Sequence, residues 1–218
     1  MSDLNCFLAG MARLLCPLLL LILWHKKTGA RVFPALAALI ICFPVFIMAG
    51  MIRAGFSRDV PISFYIQQGI LYGIFEEGAK FLAMRFLLTS YDTRKDAVTY
   101  GIGHGAFEEF GAGMACLGLI GSDKAAPEIF WVNLWSAVEG AAFVIALTVL
   151  ICYGIRKGKS LIIMPVVILL HAISNAVMGI FYFNNLIVIS AGLLLTAGSG
   201  YAAYRCWKAL WTPFENES

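Results

Sequence analysis

The sequence predicts an all-α polytopic membrane protein, a bundle of about seven transmembrane helices, and three observations carry that prediction. The 218 residues are 61% hydrophobic and only 13% charged, roughly half the charged fraction of an average soluble domain. Mean hydropathy is +0.83, more apolar surface than a compact water-soluble fold can hide. The apolar residues also fall into runs of the length, about 20 residues, that crosses a bilayer as an α-helix. Roughly six to eight such spans use up the chain, so the expectation is a single transmembrane helical domain over 1–218 with no separate soluble domain. The formal charge of +3 is too small an excess to imply a nucleic-acid partner, which leaves the lipid bilayer as the surrounding partner.

The spans follow in order, cut by charge or by Pro and Gly. The first, 4–24, lacks the basic start and small-residue cleavage site of a signal peptide. Its positive cluster, His25-Lys26-Lys27, comes after the apolar run, so it reads as a retained span. The second is 32–52. The third, 60–89, is preceded by Asp59 as a cap, with Pro61 in its first turn. The fourth, 97–120, follows Asp96 as its cap, and the fifth is 128–154. The sixth, 160–181, carries Pro165 near its start, where it either begins or kinks the helix. The seventh is 185–210. Trp24, Trp131, Trp207 and Trp211 fall near predicted interfaces, as anchoring tryptophans do. The six cysteines, Cys6, Cys16, Cys42, Cys116, Cys152 and Cys206, form no CxxC pair and read as small packing residues. No internal repeat is visible.

Charge in the connectors sets the orientation. Lys26, Lys27, Arg31, Arg94, Lys95, Arg156, Lys157, Lys159, Arg205 and Lys208 lie on one side, against Arg53, Arg58 and Lys124 on the other. Basic loops stay inside, so the N-terminus is expected outside and the C-terminus in the cytoplasm. Short connectors suggest a prokaryotic plasma membrane.

The informative residues are ionisable groups inside the apolar runs. They are Glu76, Glu77, Lys80 and Arg85 in the third span, His104, Glu108 and Glu109 in the fourth, Glu139 in the fifth, and His171 with Asn175 in the sixth. Charge at that depth costs about 2.5–3.5 kcal/mol per residue and needs a partner, a wet cavity or a function. A rise of about 1.5 Å per residue puts Glu77 and Lys80 roughly 14–18 Å from the cytoplasmic end of their span, His104 and Glu108 roughly 12–18 Å, and His171 and Asn175 roughly 16–22 Å. They share a layer, which predicts one cavity opening toward the cytoplasmic half. Faces agree as well: His104 and Glu108 stack on one stripe beside Gly101, Gly105, Gly111 and Ala112, and Gly69, Gly73, Glu76 and Lys80 form another.

A purely structural arrangement pairs Glu76 or Glu77 with Lys80, Glu108 or Glu109 with Arg85, and His171 with Asn175. The chemical arrangement supplies what peptide hydrolysis needs: an activated water, a proton acceptor and donors for an oxyanion. A buried carboxylate, Glu76 or Glu77, serves as the base. The other groups then act in one of two ways. Either His104, His171 and Asn175 donate to the oxyanion, or His104, Glu108 and His171 hold a zinc ion in a His-His-Glu set. Glu139, with Asn133 and Ser136 on its stripe, either packs helices or lines a path for water.

The run Glu76-Glu77-Gly78-Ala79-Lys80 resembles an EExxK first motif. Gly101-Ile102-Gly103-His104-Gly105-Ala106-Phe107-Glu108-Glu109 resembles a G-x-G-(H/F)-G-x-x-E second motif, and His171-Ala172-Ile173-Ser174-Asn175 an HxxxN third. Together they resemble the YhfC family of intramembrane metalloproteases, related to the PrsW proteases and the CAAX prenyl proteases. The resemblance covers the third to sixth spans. It implies a hydrolase cutting a peptide bond in or beside the membrane, with catalytic residues among Glu76, Glu77, His104, His171 and Asn175. Lys80 and Phe81 stand where the CAAX relatives carry EExxxR, and Tyr100 precedes His104 where they carry FxxxH, which points away from prenylated substrates. The same superfamily includes a noncatalytic scaffold, the subunit in gamma-secretase, so a membrane scaffold is one alternative. A proton-coupled transporter is another, since clustered carboxylates and histidines also relay protons, although the paired repeats of transporters are missing.

Overall fold

A computed structural model of the chain describes residues 2–122, 129–181 and 184–210. Among them it has seven α-helices and no strand: α1 (Ser2–Thr28), α2 (Phe33–Ala54), α3 (Pro61–Leu82), α4 (Arg94–Leu117), α5 (Ile129–Arg156), α6 (Ser160–Ile180) and α7 (Asn185–Ala209). A π-helical turn, Ala83–Leu87, extends α3. The predicted spans match these helices to within a few residues. Lys124 of the orientation count and Trp211 of the anchors lie outside the described residues.

Five helices, α1, α2, α5, α6 and α7, are long and apolar enough to cross a membrane. The remaining two, α3 and α4, carry the embedded carboxylates Glu76, Glu77, Glu108 and Glu109. Outward faces bear side chains such as Ile40, Met51, Leu161 and Leu194, all exposed, as expected of a surface that meets lipid. Hydrophobic side chains of α5, including Phe143, Leu147 and Ile151, form the middle of the core and are touched by helices on several sides.

Small residues set the closest crossings. A Cβ on Gly73 would sit 2.7 Å from the Ile168 carbonyl of α6, so only glycine lets α3 and α6 meet there. Gly103 does the same for α4 against Ala35 of α2. At the start of α4 the cap is Thr93, whose side chain accepts from the Asp96 backbone N–H while Asp96 bonds back to Thr93. The two form a capping box, which places Asp96 three residues into the helix and not at the cap. Asp96 also pairs with Arg31 of the α1–α2 connector, whose guanidinium lies 4.3 Å over the Tyr91 ring. Asp59 does not cap α3. Its carboxylate accepts from Ser57, while Pro61 starts the helix after Val60. Pro165 lies inside α6.

Candidate active site

α3 is held tightly to α6, and α2 leans on both α3 and α4, whereas α3 and α4 scarcely pack against each other. The gap between them is where their ionisable residues point. His104 Nε2 lies 3.3 Å from Glu76 Oε2 and 3.2 Å from Glu108 Oε1. From α6, His171 Nε2 lies 3.6 Å from the same Glu76 oxygen. Glu76, Glu108 and His171 each offer one ligand atom within 4.8 Å of the other two. The three helices therefore meet at one depth, as the rise arithmetic requires.

Glu77 faces away from this gap and is fully buried. Lys80 Nζ donates to both its oxygens, at 2.9 and 3.0 Å, and His171 Nδ1 lies 2.7 Å from Oε1. With an ammonium on both oxygens the carboxylate is an acceptor only, so the proton of His171 sits on Nδ1. In neutral imidazole that leaves Nε2 with a bare lone pair directed toward Glu76. Glu108 Oε1 is buried beside His104 Nε2, at 3.2 Å. Lone pairs of one imidazole and two carboxylates gathered around a point fit a cation among them. Carboxylate and imidazole donors are ligands that zinc accepts.

The grouping differs from the expected one in membership. Glu76 joins Glu108 and His171 around the point, and His104 stands beside both carboxylates. Its other nitrogen, Nδ1, lies 3.1 Å from Cys42 Sγ of α2, so this cysteine does more than pack. Asn175 lies one turn beyond His171, half-buried, and among the described residues it has no hydrogen-bond partner. The pairing of Glu77 with Lys80 is as the structural arrangement has it, but the other two pairings are not. His171 bonds Glu77, because α3 approaches within reach of its ring, while Asn175 is a turn away on the same helix. Arg85 is exposed on the π-helical turn, and Glu109 lies about 100° around α4 from Glu108, toward α1. There Arg13 of α1 meets it at 2.6 Å while also donating to Asn133 of α5 at 2.9 Å. Sequence reasoning missed Arg13, though the signal was present: a lone arginine in the middle of the first apolar run. Glu139 accepts from Thr196 of α7 at 2.8 Å, joining α5 to α7 far from the site.

A cavity of about 280 Å³ adjoins Glu76, His104 and Glu108. Its lining runs from His104 toward Gly111 and from Cys42 toward Phe46, so it extends toward the C-terminal ends of α2 and α4. That is the opposite end from the basic connectors, which corrects the expected opening toward the cytoplasmic half. The other direction is filled by fully buried Tyr100, Lys80 and Leu147.

Fold and site together define the class, a helical integral membrane protein with a carboxylate–imidazole cluster between its helices that is close enough to hold a metal ion. The chain belongs to the YhfC intramembrane metalloprotease family, whose model matches residues 14–122, half of the chain. The match spans Glu76, Glu77, Lys80, His104 and Glu108, while His171 and Asn175 lie beyond it. The family's description implies a metal ion, and the Glu76–Glu108–His171 group is close enough to hold one. No curated protein and no solved structure matches the chain.

Proposed function

We propose that the chain is an intramembrane peptidase. It cuts a peptide bond of a membrane-embedded or membrane-adjacent substrate, with a zinc ion held by Glu76, Glu108 and His171. The observation that carries this reading is His171 Nε2 set against the Glu76 carboxylate, with a Glu108 oxygen close enough to share one ion with both. When bound, such an ion supplies Lewis acidity, polarising the scissile carbonyl and acidifying water.

The chain's own groups do the rest. Glu77, neutralised by Lys80, orients His171 and fixes its tautomer. His104, with Nδ1 against Cys42 Sγ and Nε2 between the Glu76 and Glu108 carboxylates, takes the proton of the attacking water. The water oxygen bonds to the carbonyl carbon, and as the C–N bond breaks His104 returns the proton to the leaving amine. Asn175, on the cavity side of His171 and with its amide uncommitted, is the donor left for the oxyanion. A metal-free version is favoured by the 3.3 Å approach of His104 Nε2 to Glu76 Oε2. In it those two activate the water and His171 serves the oxyanion. The proposal includes the orientation read from the basic connectors, with the N-terminus outside, and one transmembrane domain over 1–218.

Metal analysis of the full chain purified in detergent without chelator tests the ligand set. The wild type is expected to hold about one ion per chain. His171→Ala should lose it while keeping its helical circular dichroism. A folded wild type without metal, or full occupancy in His171→Ala, contradicts the metal-bound form.

A further inference from the structure

We propose that the cavity beside Glu76, His104 and Glu108 is the subsite for one large apolar side chain next to the bond that is cut, and that Gly111 keeps it open. This rests on the peptidase reading and adds to it the class of substrate side chain and a residue that sets it.

The cavity exists because α2 and α4 diverge. They touch where Gly103 meets Ala35, yet two turns further along α4 no described atom lies within 4 Å of where a Cβ on Gly111 would sit. Gly111 is therefore not a helix-packing glycine; it is exposed, and a side chain added there would meet open space at the edge of the cavity it lines. The walls are aromatic. Phe46 is fixed between Tyr72 of α3 and Phe107 of α4, with ring centroids 6.2 and 5.7 Å apart. Phe43 and Phe110 are exposed and stand at the side that faces lipid. Hydrogen-bonding and charged groups occur only at the end formed by Glu76, His104 and Glu108.

Volume and polarity choose the occupant. An apolar cavity of about 150 Å³ holds benzene, so about 280 Å³ has room for a Phe, Leu, Met or Trp side chain with part of the peptide unit that bears it. The distance from His104 to Gly111 along α4 is about 10 Å, which lets a side chain lie among the aromatics while its backbone reaches the polar end. A polar side chain would find no partner in the aromatic part and would be rejected. A peptide within or beside the bilayer can offer such a residue from the Phe43–Phe110 side, since those two rings already face lipid.

The test uses full-length protein in phosphatidylethanolamine–phosphatidylglycerol vesicles with single-span peptides that vary at one position, cut sites being read by mass spectrometry. Large apolar residues should adjoin the cut. Gly111→Leu should lower kcat/KM for those peptides at least about tenfold relative to peptides with Ala there, a step within the range a filled pocket produces. Gly198→Leu, on α7 and equally open at its Cβ, should leave the ratio unchanged. Cleavage indifferent to that side chain, or an unaltered preference in Gly111→Leu, overturns the subsite while the peptidase reading stands. A second arm needs no cleavage: a photo-crosslinking phenylalanine in place of Phe46 should capture Phe peptides over Ala peptides, and Gly111→Leu should abolish that difference. Such capture without hydrolysis supports the subsite and contradicts the peptidase reading. Capture of lipid in preference to peptide, or neither capture nor cleavage, overturns the subsite.

Discussion

Glu77 decides which nitrogen of His171 is free, and so links a fully buried carboxylate that touches no cavity to the chemistry beside one. Removing it alone would strand the Lys80 ammonium, and breaking a buried pair costs about 3–5 kcal/mol. The informative variant is therefore the double change Glu77→Leu, Lys80→Met, which also removes the acceptor for His171 Nδ1–H. It is expected to fold, as judged by circular dichroism and gel filtration, and to bind metal about 10–100-fold more weakly, as a lost orienting partner does. Unchanged affinity in a metal titration would remove Glu77 from the site. At this scale the sequence displayed the right residue types but few of their partners. Glu76, His104, Glu108 and His171 were legible because charge in an apolar run is expensive wherever it falls. Which of two adjacent glutamates faces the gap was not legible. Glu76 and Glu77, like Glu108 and Glu109, differ by about 100° around a helix, and only the packing of neighbouring helices selects one. Cys42 gave no signal, since a cysteine beside an imidazole and one in a core look alike in a sequence.

Among the elements, the pair α3 and α6 carries the site, because His171 reaches Glu77 and Glu76 only if those helices touch. Gly73→Val places a branched side chain against the Ile168 carbonyl, where a Cβ already comes to 2.7 Å. Overpacking of this kind costs about 1–3 kcal/mol. The expected result is a lower thermal midpoint in detergent together with loss of metal, because the helices part at the level of the ligands. A Gly73→Val protein with wild-type melting and full metal would show that α6 is held by something else. Helix boundaries were legible from the apolar runs, since lipid penalises any break in backbone hydrogen bonding. Caps were less so: Asp96 looks like a cap beside the basic pair Arg94-Lys95, but Thr93 three residues earlier completes the box with it. The direction of the cavity was illegible for a related reason. The glycines at 101, 105 and 111 share a stripe, yet packing follows from what the neighbouring helix offers, and nothing approaches Gly111.

For the whole molecule, the alternation of basic and nearly neutral connectors is the ground for the proposed orientation, and the cavity's position gives that proposal a consequence. With the basic connectors inside, substrate would reach the site from the outer half of the membrane. Reporter fusions at Ser2 and Ser218 should place the N-terminus outside and the C-terminus inside; both ends in one compartment would contradict an odd number of spans. The helical membrane class was legible from composition and the seven helices from the apolar runs, whereas the pairing of α3 with α6 across the sequence was not, because apolar faces do not announce their partners in lipid. The central claim is that these helices bring Glu76, Glu108, His104 and His171 together to hydrolyse a peptide bond with a metal ion. The most direct measurement is cleavage of membrane peptides by the reconstituted chain, followed before chelation, after it, and after return of zinc. The account predicts hydrolysis that stops on chelation, resumes with zinc and is lost in Glu76→Gln. Cleavage that ignores the chelator, or that persists undiminished in Glu76→Gln, would contradict it.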